Sequence, residues 1–169
     1  MSLRAAEYVQ EQFSQKIGEI DRDRKVAARG KNWRRSLAYI LKAVSVFGGI
    51  AVASGLEELL AQRVGVAILI AAGIDLWLSN SKALMNYAQA VDSYDALRKR
   101  AERRHQTELI PVLVAVEDEE AEASAKLVAM VGGLLEMCNE ELTKIETALR
   151  AGNLEALKAL EIENKKQTS

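Results

Sequence analysis

The stretch from Ser45 to Trp77, SVFGGIAVASGLEELLAQRVGVAILIAAGIDLW, constrains the fold most because it combines strong apolar character with many glycines. It holds five of the ten glycines of the chain and only four charged residues, Glu57, Glu58, Arg63 and Asp75. A glycine inside a water-exposed helix costs about 1 kcal/mol relative to alanine. Such a segment is therefore expected where helices approach closely, either as a hairpin in a lipid bilayer or as a buried hairpin in a soluble helical bundle.

The remainder of the chain predicts an all-α fold. Helix-forming residues dominate its 169 residues, Pro111 is the only proline, and no convincing strand-like alternation occurs. The net charge of −1 gives no global affinity for nucleic acid or an anionic surface. Cys138 is the only cysteine, which excludes an intrachain disulfide and is typical of a small buried hydrophobic residue.

Apolar residues at helical spacing predict three amphipathic helices that flank the apolar stretch. In the region 1–31 the helix runs from Leu3 to about Arg29, Gly30 follows its end and Asn32 caps the next helix. Pro111 ends the helix at 80–110. Gly152 stops the long C-terminal helix, and a short helix runs from Asn153 to about Ile162 within the region 111–169. The apolar seams are Val9, Phe13, Ile17 and Ile20; Leu84, Tyr87, Val91 and Tyr94; and Leu127, Val131, Leu134, Cys138, Leu142, Ile145 and Leu149.

The region 32–79 is predicted to be a transmembrane hairpin, with helices at about 34–56 and 60–79. Ser36 to Leu56 forms a helix of about 31 Å, which matches the hydrocarbon thickness of roughly 30 Å. Basic residues stand at both outer ends of the hairpin, so both termini are predicted to be cytoplasmic at a bacterial inner membrane. These residues are Arg22, Arg24, Lys25, Arg29, Lys31, Arg34 and Arg35 before it, and Lys82, Arg98, Lys99, Arg100, Arg103 and Arg104 after it. The alternative is a soluble bundle with basic flanks by chance.

Small residues recur at four-residue spacing on both apolar helices. Ser45, Gly49 and Ala53 share one face of the first helix, and Ala67 and Ala71 share a face of the second. Small residues let two helix backbones approach closely. These faces are expected to pack either the hairpin itself or neighbouring copies in a homo-oligomer.

Two charged residues, Lys42 and Asp75, come within one helical turn of each other when the hairpin is folded about residue 58. A charge inside an apolar segment is costly unless it is paired or hydrated. Two interpretations follow: an ion pair that fixes the hairpin, or charges that line the inner mouth of an oligomeric pore.

The sequence contains no recognisable catalytic constellation, and we expect neither an enzyme nor a cofactor or metal site. His105, the only histidine, is predicted to be a solvated surface residue, and the run Glu117–Glu120 a solvated helix start. One basic cluster is a candidate contact for phosphate groups of lipids, nucleotides or oligonucleotides, or else a solvated face. It comprises Arg98, Lys99, Arg100, Arg103 and Arg104.

The layout resembles one known family. The approach RGKNWRRSLAYI leads into two closely spaced apolar helices, and SKALMNYAQAVDSYDALRKR, with Tyr94 and Leu97 near its middle, leads out of them. Over roughly 22–105 this is similar to the SLATT family, two-transmembrane effectors found beside bacterial nucleotide-signal synthases.

The resemblance implies a pore-forming antiphage effector that depolarises the membrane of the infected cell. A nucleotidyltransferase partner, or its nucleotide or oligonucleotide product, would gate the pore. The alternative is a non-conducting, membrane-anchored helical scaffold that docks a soluble partner through the seam Leu127–Leu149.

Overall fold

The computed structural model describes residues 2–53, 58–77, 80–117 and 121–167, which are helical except at 151–153 and 167. The predicted all-α class is therefore confirmed. The elements are α1 (Ser2–Ala53), α2 (Glu58–Trp77), α3 (Asn80–Arg104), a π-helical turn (His105–Leu109), α4 (Ile110–Glu117), α5 (Ala121–Arg150) and α6 (Leu154–Lys166).

Helix α1 is a single rod of 52 residues, about 78 Å long at 1.5 Å per residue. It runs through Gly30 and Asn32, so the predicted break and cap at these positions are wrong. Gly30 instead permits a close contact, because a Cβ atom there would lie 2.5 Å from Cε1 of Tyr87. The glycine serves packing between helices rather than the end of a helix.

Helices α2 and α3 run antiparallel to α1 and together follow it along most of its length. Contacts of α1 with α2, α3 and the π-helical turn keep one register, since each step toward the N-terminus of α1 meets a later residue of the returning chain. The pairs are Gly48 with Ile68, Gly30 with Tyr87, Arg24 with Asp95, Asp21 with Arg98, and Phe13 with His105.

A helical bundle forms where the N-terminal part of α1 packs with α3, α4 and α5, and α6 packs in turn against α3 and α5. Its core contains the seams predicted for α1 and α5, which are confirmed. The α5 seam is buried against helices of its own chain, and a scaffold that docks a soluble partner stays a prediction. The largest fully buried apolar side chains of the core are Ile20, Leu97, Leu109, Leu127, Ile145 and Leu157.

The helix does not end at Pro111, contrary to the prediction. Ile110 has helical dihedral angles, φ −58° and ψ −45°, and its N–H donates to the carbonyl of His105 across a π turn. A proline inside an α-helix clashes with the carbonyl four residues earlier. The π turn immediately before Pro111 widens the backbone at that carbonyl, so the chain continues into α4.

The junction between α5 and α6 follows the predicted chemistry. Gly152 adopts a φ of +63°, and the N–H of Asn153 donates to the carbonyl of Ala148 at 2.9 Å. The side chain of Asn153 then accepts a hydrogen bond from the N–H of Ala156 at 3.0 Å and caps α6. A left-handed glycine followed by an asparagine N-cap is the pattern that turns one helix into the next.

Among the residues that the structure describes, no helix is long and apolar enough to cross a membrane. The prediction of a transmembrane hairpin at 32–79 in a bacterial inner membrane, with both termini cytoplasmic, is therefore wrong. Charged residues shorten the apolar part of both helices. Arg34 and Arg35 immediately precede the apolar part of α1, and Lys42 lies within that part. Helix α2 contains Arg63. Residues 54–57, part of the predicted first span, lie outside the described residues.

Candidate functional site

The part of α1 from Trp33 onward and the whole of α2 form a two-helix arm that extends from the bundle. Large apolar side chains on both helices of this arm are exposed, up to 71% for Phe47 and 73% for Leu69. Apolar residues surround α2 instead of following one stripe, and a helix of that kind normally lies inside a larger structure. The ten most exposed are Trp33, Tyr39, Ile40, Val46, Phe47, Ile50, Leu60, Val66, Leu69 and Ile70.

One face of each arm helix is used inside the chain. A Cβ atom on Gly48 would lie 2.7 Å from Cδ1 of Ile68 and 3.3 Å from Cγ1 of Val64. Ala71 is buried to 6% exposure, one turn beyond Ile68 on α2. The hairpin therefore closes over Gly48, and positions 64, 68 and 71 of α2 form its inner seam.

The predicted small-residue faces divide between the inside and the outside of this hairpin. Ala71 belongs to the inner seam, whereas Ser45, Gly49 and Ala67 are exposed. A Cβ atom on Gly49 would meet nothing within 4 Å, and the Ser45 hydroxyl donates back to the carbonyl of Leu41 at 3.0 Å. The side chain of Ala53 lies outside the described residues. The outward face of α1 thus keeps small residues that the hairpin does not use.

Of the predicted pair Lys42 and Asp75, the structure describes only the side chain of Lys42. The antiparallel register places Lys42 level with the last turns of α2, and its side chain is exposed. The side chain of Asp75 lies outside the described residues. An ion pair, or a shared role in lining a pore, stays a prediction.

The basic cluster predicted to contact phosphate is largely engaged within the bundle. Arg98 bonds Asp21 and Glu102, both at 2.9 Å, and these bonds raise the pKa of its guanidinium, that to Glu102 most. Arg104 makes a bidentate contact with Glu108 at 2.8 to 3.1 Å.

The other members of the basic cluster have contrasting positions. Arg100 is 9% exposed and donates to Oδ1 of Asn164 at 2.8 Å, whereas Lys99 and Arg103 are exposed. Asn164 is fully buried, and its amide also contacts Glu141 at 3.4 Å. The five side chains therefore do not form one continuous cationic face, and Arg100 ties α3 to α6.

His105 is not the solvated residue that its basic surroundings predicted. Its ring stacks on Phe13 with centroids 4.1 Å apart and an interplanar angle of 14°. Burial lowers the pKa of the imidazole, and Nε2 is buried without a hydrogen-bond partner among the described residues. The π turn places this residue against α1, a position that sequence spacing alone did not indicate. Cys138 is buried in the core, which raises the pKa of its thiol to about 11.

Acidic side chains give no sign of a metal site in the part of the chain that the structure describes. No three His, Cys, Asp or Glu side chains converge there as metal ligands. The run Glu117–Glu120 has its side chains outside the described residues.

No protein-family model, curated protein or solved structure matches this chain. The resemblance to the SLATT family therefore stays a prediction from the layout of the sequence. The exposed apolar side chains of the arm have no packing role among the residues that the structure describes.

Proposed function

We propose that this chain is a self-assembling helical scaffold whose apolar arm packs against the arms of further copies. The observation that supports the proposal is the exposure of large apolar side chains on both arm helices, with Phe47 on α1 and Leu69 on α2 the most exposed. The bundle supplies the folded body that each assembled arm would present.

The size of the exposed surface favours a specific partner. Ten side chains that expose about 100 Å² each present on the order of 1,000 Å² of apolar surface, above the few hundred Å² of an ordinary monomer. A stable interface buries about 800 Å² per partner. One arm therefore has enough surface for a contact of normal size.

A second copy of the arm fits this surface because it offers the same apolar side chains and the same small residues on its outer face. In a symmetric contact the same patch serves both partners, so an apolar helix with small residues on its outer face can meet its own copy closely. Gly49 and Ser45 lie on that outer face, while Gly48 is already occupied by Ile68. Two adjacent glycines thus fit two different contacts, one within the hairpin and one between hairpins.

The likeness to the SLATT family adds a proposal about control. In an antiphage effector of that layout, a nucleotide-derived signal or a partner nucleotidyltransferase would set the assembly state of the arms. The described helices include none that could cross a membrane, and assembly through the arm requires no pore.

Sedimentation equilibrium of the purified full chain tests the assembly. We expect a defined oligomer whose mass falls toward that of one chain in F47E and L69E, because a charge in an apolar contact is strongly disfavoured. The matched control is I162E, since Ile162 is also exposed, at 53%, but lies on α6 of the bundle. A wild-type chain that stays monomeric at about 100 μM, or an equal effect of the control, would contradict the proposal.

A second pair of variants separates assembly from hairpin folding. G49L places a large side chain where the chain itself leaves open space, so the helical content should persist while the oligomer dissociates. G18L makes the same change at another exposed position of α1, within the bundle, and should leave the mass unchanged. An oligomer that survives G49L would place the contact on a different face of the arm.

A further inference from the structure

A small acidic cavity lies in the bundle, away from the arm, between α1, α3 and α5. Its volume is about 200 Å³, which is the size of one side-chain head group and too small for a nucleotide. Sequence reasoning did not find it, because its residues come from three helices and none forms a local motif. Its principal lining residues are Asp23, Tyr87, Tyr94, Glu146, Leu149 and Arg150.

Negative charge is concentrated in this cavity. Burial raises the pKa of the Asp23 carboxyl, and the nearby carboxylates of Glu146 and Glu19 raise it further, against smaller opposing effects of Arg22 and Lys16. A carboxylate that is disfavoured by burial and by its neighbours is stabilised when a cation enters. The cavity therefore favours a positively charged group.

Tyr94 adds a polar group that has no use inside the chain. Its side chain is 2% exposed and lines the cavity, and its hydroxyl has no hydrogen-bond partner among the described residues. Burial and the nearby Asp23 and Glu146 raise its pKa, so the hydroxyl stays protonated. The hydroxyl therefore offers a donor and an acceptor to a group that enters the cavity.

The second aromatic wall is held in place by a glycine. Tyr87 lies directly over Gly30, where a Cβ atom would come within 2.5 to 2.9 Å of the ring. The close approach brings the ring of Tyr87 to the cavity beside Tyr94. Aromatic faces attract cations, Arg guanidinium groups in particular.

Arg150 lies at the mouth of the cavity, where its guanidinium group already contacts the acidic lining residue Glu146. Its side chain is 81% exposed and holds Glu146 through a single contact of 3.3 Å between Nη2 and Oε2. A contact of this length on an exposed side chain is weak. An incoming cation can therefore displace Arg150 without a large loss.

We propose that this cavity binds a guanidinium or primary ammonium group, with Asp23 and Glu146 accepting its N–H donors and the two tyrosine rings flanking it. The group would belong either to a small free molecule or to an arginine or lysine side chain of a partner protein. The site lies wholly in the bundle and does not depend on assembly through the arm.

Titration of the full chain with methylguanidine and with methylurea, its neutral isostere, tests the charge requirement. We expect methylguanidine to bind with a Kd on the order of 1 mM or tighter and to shift the ring resonances of Tyr87 and Tyr94. Those of Tyr8 and Tyr39, outside the cavity, should stay in place. Equal binding of the two probes, or shifts spread over all four tyrosines, would overturn the proposal.

Variants then assign the contacts. D23N and E146Q should each weaken binding about tenfold, because each removes a charge-assisted hydrogen bond. R150M should tighten binding several-fold, since the resident competitor is gone. E140Q, an exposed carboxylate of the same helix on another face, should leave binding unchanged. An unaltered affinity in R150M, or a loss in E140Q as large as in D23N, would show binding elsewhere.

Two larger probes distinguish the sources of the cation. Agmatine carries the guanidinium on a small free molecule, and acetyl-arginine-amide carries it on a peptide backbone. Tighter binding of agmatine supports a small-molecule ligand, and tighter binding of the peptide supports a partner side chain. Loss of binding of both probes in the D23N/E146Q double variant is required in either case.

Discussion

At the scale of single residues, two glycines of α1 have opposite effects on stability. A Cβ atom on Gly30 would meet the ring of Tyr87 at 2.5 to 2.9 Å, whereas one on Gly18 would meet nothing within 4 Å. We expect G30A to lower the free energy of unfolding by about 1–3 kcal/mol through overpacking. G18A should raise it by about 0.5–1 kcal/mol through better helix propensity. Urea denaturation measures both, and effects of the same sign would contradict the close contact of Tyr87 with α1.

His105 gives a prediction about pH. Burial lowers its pKa in the folded chain, whereas an unfolded histidine titrates near 6.5. The unfolded state therefore binds the proton more readily, so the contribution of the neutral imidazole is complete above about pH 6.5 and is lost as the pH falls below that value. H105F keeps the stack on Phe13 and removes the titration.

Thermal unfolding between pH 7.5 and pH 5 compares H105F with the wild type. The wild-type midpoint should fall more steeply than that of H105F over this range. Asp23 acts in the opposite direction, because its pKa is raised in the folded state, and protonation of its carboxyl favours folding. Identical slopes in the two proteins would show that His105 is as well hydrated folded as unfolded.

At the scale of elements, helix α6 is held to the bundle by a buried polar contact. Asn164 accepts from Arg100 at 2.8 Å, and both side chains are buried. N164L should cost about 2–3 kcal/mol, because it leaves a buried guanidinium short of an acceptor. The double variant R100M/N164L should recover the part of the loss that comes from the unpaired guanidinium, whereas the contact of Asn164 with Glu141 stays broken.

Chemical denaturation and amide exchange of α6 together check this contact. N139L is the matched control, because Asn139 is an exposed asparagine whose side chain accepts a hydrogen bond from Lys16 on the surface. It should change the free energy of unfolding by less than about 0.5 kcal/mol. A loss in the double variant as large as in N164L would show that Asn164 acts through its shape or through Glu141 rather than through Arg100.

Periodicity predicted the elements well where one helical face is buried. The seam from Leu127 to Leu149 and the junction at Gly152 and Asn153 follow local rules of spacing and capping, and the structure has them. Gly30 and Pro111 were misinterpreted because the rules for helix ends ignore contacts from elsewhere in the chain. A tyrosine over Gly30 and a π turn before Pro111 decide those positions instead.

The sites were harder to predict than the helices for a related reason. The five basic residues at 98–104 were interpreted as a cationic face. In the structure, however, Arg98 contacts Asp21 and Arg100 contacts Asn164, two partners that are distant in sequence. The acidic cavity was missed because Asp23, Tyr94 and Glu146 come together only through the packing of three helices. The length of the apolar segments also overstated the capacity of the arm to cross a membrane, because charged residues interrupt segments that are otherwise apolar.

At the scale of the whole molecule, the bundle is complete without the arm. Among the described side chains, the core includes none between Ala28 on α1 and Tyr87 on α3. The two parts are joined by the unbroken rod of α1 and by the return path through α2 and α3. Folding of the bundle and exposure of the arm are therefore separate properties of one chain.

This separation predicts the behaviour of a chain without its arm. Replacing residues 36–81 by a linker of about four glycine and serine residues joins α1 to α3 where the antiparallel register brings them level. The shortened chain should unfold cooperatively, because its core is intact. It should sediment as a monomer, because nine of the ten exposed apolar side chains of the arm are gone and only Trp33 remains. A shortened chain that assembles like the full one would move the contact between copies to the bundle. One that fails to fold would show that the arm contributes to the core.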